Sequence, residues 1–230
     1  MASREEEKRR LREERIAAEQ AAGREAERRR RMQIIGAAAL GVVVIAVIVI
    51  LVASGGGKSK KPQPANAQLL ASVSSAANGR TVKGIQCQTM EQVLFHIHAH
   101  AAIYVNGKQR AIPAGIGIPP PRQVAQTSQG PFVTGGTCFY WLHSHTADGI
   151  VHIESPIKRT YTLGDYFAIW NQPLSANQVG PVRGSITAFV NGRKFSGNPA
   201  SIPLKAHNVI QLDVGTPIVP PQPFSFPSGL

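Results

Sequence analysis

The chain has 230 residues, with 25 Lys and Arg against 13 Asp and Glu, and a formal net charge of +12. The excess is spread out: residues 1–32 hold 11 basic against 8 acidic residues, and residues 81–230 hold 10 against 5. No concentrated basic patch with interleaved aromatic residues is visible, so the composition argues against a nucleic-acid-binding protein.

The N-terminal segments predict a membrane anchor. Residues 1–32 are rich in Glu, Arg and Ala and favour a charged, partly helical arm with no apolar face to bury. Residues 33–53 follow as a transmembrane helix, because Ile34 to Ala53 carries no charge and is long enough to span a bilayer of about 30 Å. Arginines at 28–31 precede the span, so the positive-inside rule places the arm in the cytoplasm and the rest outside the cell membrane. A cleaved signal peptide is the alternative, but the charged arm and the apolar run are both longer than a signal peptide requires.

Residues 54–80 have the Gly, Ser, Lys and Pro composition of a flexible linker. Residues 81–230 then remain for one extracytoplasmic domain, which is enough to bury a core. The two cysteines, Cys87 and Cys138, fall in this domain, where a disulfide is chemically permitted and free thiols are usually avoided. We therefore favour a bridge over two unrelated thiols.

The domain reads mostly as β-strands with one short helix. Asn106-Gly107 and Asn191-Gly192 each follow apolar residues, a pattern that predicts tight hairpins. Between the hairpins, residues 113–137 predict a long loop of the kind that covers functional sites. Residues 162–165 favour a helix start, and Pro173 ends the helix. The proline-rich tail, residues 219–230, predicts an extended segment on the surface.

Six of the seven histidines lie in two β-like segments. Alternate strand residues share a face, so His96, His98 and His100 project together. If the turn at residues 146–149 closes a hairpin, its register pairs His143 with His152. His145 and Glu154 then join the same face, and a register slip of one residue would scatter them.

A row of imidazoles is poor core material and good metal-ligand material. The predicted metal ligands are His96, His98, His100, His143, His145, His152 and Glu154. Imidazole and carboxylate donors suit copper or zinc, as one ion with an open position or as two ions. Glu154, Asp148 or Ser144 could orient the imidazole rings. His207 stands alone and predicts no site.

The segment Tyr140-Trp141-Leu142-His143-Ser144-His145, with Asp148-Gly149-Ile150 after it, resembles a copper-binding segment of multicopper oxidases. Those enzymes are built from cupredoxin domains, so the resemblance implies a mainly β, Greek-key, cupredoxin-like β-sandwich and a preference for copper. The chain lacks their His-Cys-His segment and has no methionine beyond Met90, which argues against blue copper and against oxygen reduction. Animal-type carbonic anhydrases and cupins also place His-x-His on strands, and this analogy leaves an enzyme open.

Three functions are therefore open from the residues alone. The leading one is a membrane-anchored extracytoplasmic protein that handles copper or zinc, with the membrane and the metal ion as partners and any protein partner unknown. The second is a metal-dependent enzyme, either an oxidase or oxygenase or a zinc hydratase or hydrolase. The third is a structural ectodomain whose histidines respond to pH between about 5 and 7.

Overall fold

The computed structural model describes residues 67–127 and 130–230. The predicted charged arm (1–32), transmembrane helix (33–53) and first half of the linker lie outside the described residues. Within the part that is described, no helix is both long and apolar enough to cross a bilayer.

The described chain is mainly β with one α-helix, as predicted. Its strands in chain order are β1 (Cys87–Gln88), β2 (Phe95–Val105), β3 (Lys108–Arg110), β4 (Gln123–Thr127), β5 (Gly130–Gly135), β6 (Phe139–Tyr140), β7 (Leu142–His143), β8 (Ile150–Ser155), β9 (Leu174–Ser175), β10 (Gln178–Val179), β11 (Val182–Arg183), β12 (Ile186–Val190), β13 (Arg193–Phe195) and β14 (Val209–Val214). The helix α1 covers Leu163–Trp170, and 3-10 turns cover Val73–Ser75 and Pro199–Ser201. A Greek-key, cupredoxin-like arrangement of these strands stays a prediction.

The largest sheet has seven strands and is organised around β2. Its order is β13-β12-β14-β2-β8-β7, with β3 also paired to β2. The long β2 pairs antiparallel with β8 through its first half and parallel with β14 through its second half. Smaller sheets of two or three strands join β1 to β6, β4 to β5, and β9 to β10 and β11.

The two faces of β2 have different roles because successive side chains alternate. The odd-numbered residues Ala99, Ala101 and Ile103 are buried in the hydrophobic core together with Val151 and Ile153 of β8. The aromatic and aliphatic side chains of α1 join the same core. The even-numbered residues, which include the histidines, are left on the opposite face.

Local sequence signals decide several elements. Asn106-Gly107 and Asn191-Gly192 both adopt positive φ and close the two-residue hairpins β2–β3 and β12–β13, as predicted. Thr162 and Asp165 form a reciprocal capping box at the start of α1, because each side chain accepts a hydrogen bond from the other residue's backbone N–H. The helix ends at Asn171, which adopts the left-handed conformation.

The second half of the predicted linker, residues 67–80, belongs to the folded domain, so the boundary predicted at residue 80 is wrong. Leu70 is buried, its N–H donates to Ala111 O at 2.9 Å, and Ala77 N–H donates to Ile169 O at 2.7 Å. Val73 and Ala76 also pack against the core. These small and aliphatic residues therefore belong to the folded domain, although the polar residues among them resemble a linker.

The predicted disulfide between Cys87 and Cys138 is confirmed, with Cα atoms 5.4 Å apart. It joins β1 to the residue just before β6, and these two strands are themselves paired. The bridge therefore ties the chain that leads into β2 to the chain that leads into β7.

The predicted long loop over residues 113–137 contains the hairpin β4–β5. The proline-rich tail has no regular secondary structure, but it is held on the sheet. Val219 N–H donates to Asp213 Oδ1 at 2.9 Å, and Gln222 N–H donates to Gln211 Oε1 at 2.9 Å.

Candidate metal centre

Strand pairing assembles the candidate site on one face of the sheet. In the β2–β8 ladder, His96 lies opposite Glu154 and His98 lies opposite His152. In the β7–β8 ladder, His143 lies opposite His152. Directly paired residues project to the same side, so the predicted hairpin register is confirmed and brings two histidine segments to one place.

Four ligand atoms form a closed ring. The separations are 3.1 Å from His96 Nε2 to His98 Nε2, 3.2 Å from His98 Nε2 to His152 Nδ1, 3.1 Å from His152 Nδ1 to Glu154 Oε1, and 3.2 Å from Glu154 Oε1 back to His96 Nε2. A four-coordinate ion with bonds of about 2.0–2.1 Å places neighbouring ligands about 2.9 Å apart in a square and about 3.4 Å apart in a tetrahedron. The ring therefore has the dimensions of a first coordination shell.

A second group of ligand atoms adjoins the ring. His143, His145, His152 and Glu154 each offer an atom within 4.8 Å of the others. His143 Nε2 lies 3.1 Å from His145 Nε2 and 3.9 Å from Glu154 Oε1. His152 and Glu154 are thus shared between the two groups.

Backbone carbonyls orient the rings of the second group. A carbonyl oxygen can only accept, so His143 Nδ1–H donates to Tyr140 O at 2.9 Å and His145 Nδ1–H donates to Val133 O at 2.6 Å. Each bond places the ring proton on Nδ1 and leaves the Nε2 lone pair directed into the cluster, the usual arrangement behind a histidine ligand.

Among the described residues, the side chains of the predicted orienting groups Asp148 and Ser144 make no hydrogen bond to a ligand ring. The Asp148 carboxylate accepts from Ile150 N–H at 3.0 Å within the turn, and Ser144 Oγ accepts from Tyr166 O–H at 3.1 Å. Glu154 lies in the cluster itself, where it contacts His96 and His152.

Burial keeps four of the imidazoles neutral. Desolvation lowers the pKa of His98 to about 3 and the pKa values of His143 and His145 to about 4. Desolvation likewise lowers the pKa of His152. A neutral imidazole has the free lone pair that a metal needs, so these groups are ready to bind at neutral pH.

The pKa values of the two carboxylates, Glu154 and Glu91, are shifted in opposite directions. Burial opposes the ionisation of Glu154, but hydrogen bonds from His152 and His96 outweigh it and hold the pKa of Glu154 well below its ordinary value. The hydrogen bond to Glu154 in turn raises the pKa of His96. Burial, together with repulsion from Glu154, raises the pKa of Glu91 to about 7.

One side of the cluster is closed by aromatic rings. Phe132 of β5 stacks on His145 with ring centres 4.6 Å apart, and Phe139 meets His143 edge-on at 5.6 Å. The hairpin that replaces the predicted loop thus covers this side. The other side is open, because the His96 and Glu91 side chains are 42% and 40% exposed.

His100 is not brought into either group of ligand atoms. It lies opposite Ile150, and its Nε2–H donates to Asp148 O at 3.1 Å. Phe224 of the tail stacks on its ring with centres 3.6 Å apart. The backbone of the turn around Gly149 fills the space beside His100. The prediction correctly placed His100 on the histidine face, but this position lies beyond the cluster.

His207 also lies outside the cluster, as the sequence predicted. It is exposed, its Nε2 lies 3.0 Å from Leu230 O, and its ring stacks on Phe226.

Glu91 is a site residue that the sequence analysis missed. Its Oε1 lies 3.4 Å from His145 Nε2 and 3.8 Å from His143 Nε2. It belongs to the irregular segment between β1 and β2, where no periodicity marks it. One signal was present: it is one of only five acidic residues in positions 81–230, and it lies a few residues before the first histidine strand.

Comparisons with known proteins give no relative. No protein-family model, curated protein or solved structure matches this chain. The described chain is a mainly β domain with a largely buried group of histidines and a glutamate that could hold a metal ion.

Proposed function

We propose that this protein is a membrane-anchored, extracytoplasmic metal-binding protein that handles copper or zinc at the cell surface. The observation that carries the proposal is the closed ring of His96, His98, His152 and Glu154 atoms, with each neighbouring pair 3.1–3.2 Å apart. Packing these imidazoles so closely is costly without a bound cation, because His98, His143, His145 and His152 are largely removed from water and their ring nitrogens face one another inside the cluster.

The donor set supports copper or zinc over other metals. Imidazoles suit Cu²⁺ and Zn²⁺, while Mg²⁺ and Ca²⁺ prefer sites made of oxygen ligands. Both cysteines are tied in the disulfide, so no thiolate is offered in the described residues for Cu⁺ or a blue-copper site. The proposal includes a cupredoxin-like fold, for which the support is the multicopper-oxidase-like segment around His143 and His145.

The proposed location depends on the sequence and on the disulfide. The apolar run at 33–53 has the length of a membrane span, and the arginines before it favour a cytoplasmic N-terminus. The Cys87–Cys138 bridge fits an oxidising compartment outside the cytoplasm. If the topology is correct, protease added to intact cells removes the C-terminal domain and spares an epitope tag on the N-terminal arm. Protection of the domain would contradict this location.

Metal content tests the binding function directly. Full-length protein in detergent is purified after growth with Cu²⁺ or Zn²⁺, and bound metal is counted by mass spectrometry. We expect His98→Ala to bind clearly less metal than the native protein, because His98 Nε2 contacts two other ligand atoms of the ring. His207→Asn is the matched control, since it removes a histidine outside the cluster and Asn tolerates the positive φ at this position. Equal metal content in the native protein, His98→Ala and His207→Asn would exclude the proposal.

A second candidate, a metal-dependent enzyme, is favoured by the open side of the cluster. The exposed portions of His96 and Glu91 leave a route by which a small molecule could reach an ion. The test compares metal-loaded with metal-free protein for oxygen consumption in the presence of a reductant and for hydrolysis of a simple ester. Turnover that requires metal and disappears in His98→Ala would support an enzyme. If the metal-loaded native protein shows no turnover, the binding function stands alone.

A further inference from the structure

The cluster contains more ligands than one four-coordinate ion can use. Five imidazoles and two carboxylates contribute, in two groups that share His152 and Glu154, and assigning His152 to the first group leaves two sets joined by Glu154. The first set is formed by His96, His98 and His152, and the second is formed by His143, His145 and Glu91.

We infer that the cluster binds two divalent metal ions bridged by the Glu154 carboxylate, with Glu91 as a ligand of the second ion. This inference rests on the proposed metal-binding function and adds the second ion's ligand set. The second ion is expected to be of the same class as the first, because its donors are again imidazole and carboxylate.

The geometry of the second set fits an ion of its own. The three ligand atoms form a triangle with sides of 3.1 Å between His143 and His145, 3.4 Å between His145 and Glu91, and 3.8 Å between His143 and Glu91. A tetrahedral ion requires edges of about 3.4 Å, close to the mean of these three. The three atoms therefore outline one face of a tetrahedron whose fourth corner is open to Glu154.

Glu154 is placed to join the two ions. Its Oε1 lies 3.2 Å from His96 Nε2 and 3.1 Å from His152 Nδ1 in the first set, and 3.9 Å from His143 Nε2 in the second. All three distances are to Oε1, and a carboxylate can bridge two ions through a single oxygen or through both. Carboxylate-bridged ion pairs in proteins are typically about 3.5–4 Å apart, a spacing that the shared position of Glu154 allows.

The two positions differ in exposure. The first ion would have two largely buried imidazole ligands, His98 and His152, and one exposed ligand, His96. The second would have the buried His143 and His145, but also Glu91, whose side chain is 40% exposed on an irregular segment. Glu91 is therefore the ligand whose removal should release the second ion and leave the first in place.

Metal stoichiometry tests the inference. Full-length protein in detergent is stripped with a chelator, dialysed against Zn²⁺ and analysed for metal per chain. We expect two ions per chain in the native protein and in the His207→Asn control, and one in Glu91→Gln. Glu91→Gln keeps the size of an exposed side chain and removes only the charge and ligand strength, so the variant should fold as the native protein does.

Loading with Cu²⁺ provides a second readout, since two Cu²⁺ ions at this spacing couple magnetically. The native protein should bind two copper ions yet give an electron paramagnetic resonance signal well below two spins per chain, while Glu91→Gln should bind one copper with a full one-spin signal. Three results would each overturn the two-ion inference: saturation at one ion per native chain, two ions retained in Glu91→Gln, or two uncoupled spins in the copper-loaded native protein. The metal-binding function would survive those results, whereas native protein without any metal would overturn both.

Discussion

Replacing His143 with Asn should flatten the acid sensitivity of the metal-free protein. The Asn amide nitrogen occupies nearly the position of imidazole Nδ1, so it can still donate to Tyr140 O, which His143 reaches at 2.9 Å. The change removes the ligand atom Nε2 and the titrating group, and it leaves this hydrogen bond available.

The magnitude follows from the pKa of His143. Burial lowers the pKa from its ordinary 6.5 to about 4 in the folded protein. As pH falls below 6.5, the unfolded chain takes up the proton first, so the stability contributed by neutral His143 is complete above pH 6.5 and is lost as pH approaches 4. A difference of about 2.5 units corresponds to about 3 kcal/mol at the end of this window.

Thermal unfolding measures the effect. Chelator-treated native protein and His143→Asn are compared at pH 7.0 and pH 4.5 by circular dichroism. The variant loses packing at both pH values, so the informative quantity is the difference between the two pH values within each protein. About 2.5 kcal/mol of this penalty is present at pH 4.5. We therefore expect the native midpoint to fall by about 5–10 °C more than that of the variant, from about 2–4 °C per kcal/mol for a domain of this size. If both midpoints fall equally, His143 is not held neutral by burial and the account of its environment is wrong.

Further predictions concern metal retention, the disulfide and His100. Because burial holds the pKa values of His143 and His145 near 4, bound Zn²⁺ should resist acid down to about pH 5 in dialysis experiments, and half-release near pH 6.5 would contradict these pKa values. Zn²⁺ at about a thousandfold above its dissociation constant should stabilise the protein by about 4 kcal/mol in urea unfolding, and no shift would mean that metal does not favour the folded state. Replacing Cys87 and Cys138 with Ala opens a cross-link between residues 51 apart and should cost about 4 kcal/mol in the same assay; a loss below about 1 kcal/mol would show that the bridge is not structural. His100→Asn should leave metal content unchanged while the lost stacking on Phe224 lowers stability by about 0.5–1.5 kcal/mol, and loss of metal would instead make His100 a ligand.

Local patterns were sufficient for the parts of the site that lie within one hairpin. The turn residues 146–149 and the strand alternation around them predicted that His143 faces His152, and the structure has this pair. The same kind of reasoning correctly predicted the two Asn-Gly hairpins and the capped helix α1, because each is decided by residues a few positions apart. It could not find Glu91, since an irregular segment has no period that points a side chain in a known direction.

Long-range packing decided the rest. The parallel pairing of β14 with β2 places Gln211 and Asp213 on the histidine face, where they hold the tail, and Phe224 of that tail covers His100. Likewise, Tyr140 O and Val133 O orient the ligand rings, and backbone carbonyls carry no sequence signature.

The amino-acid sequence by itself determined which side chains share a face and where the chain turns, because alternation and turn preferences act between near neighbours. Only the tertiary structure decided which of the seven predicted ligands meet, that His100 is set apart, that Glu91 joins the others, and that residues 67–80 belong to the domain. The physical reason is that contacts between distant segments depend on how the whole core packs, which short stretches of sequence do not encode.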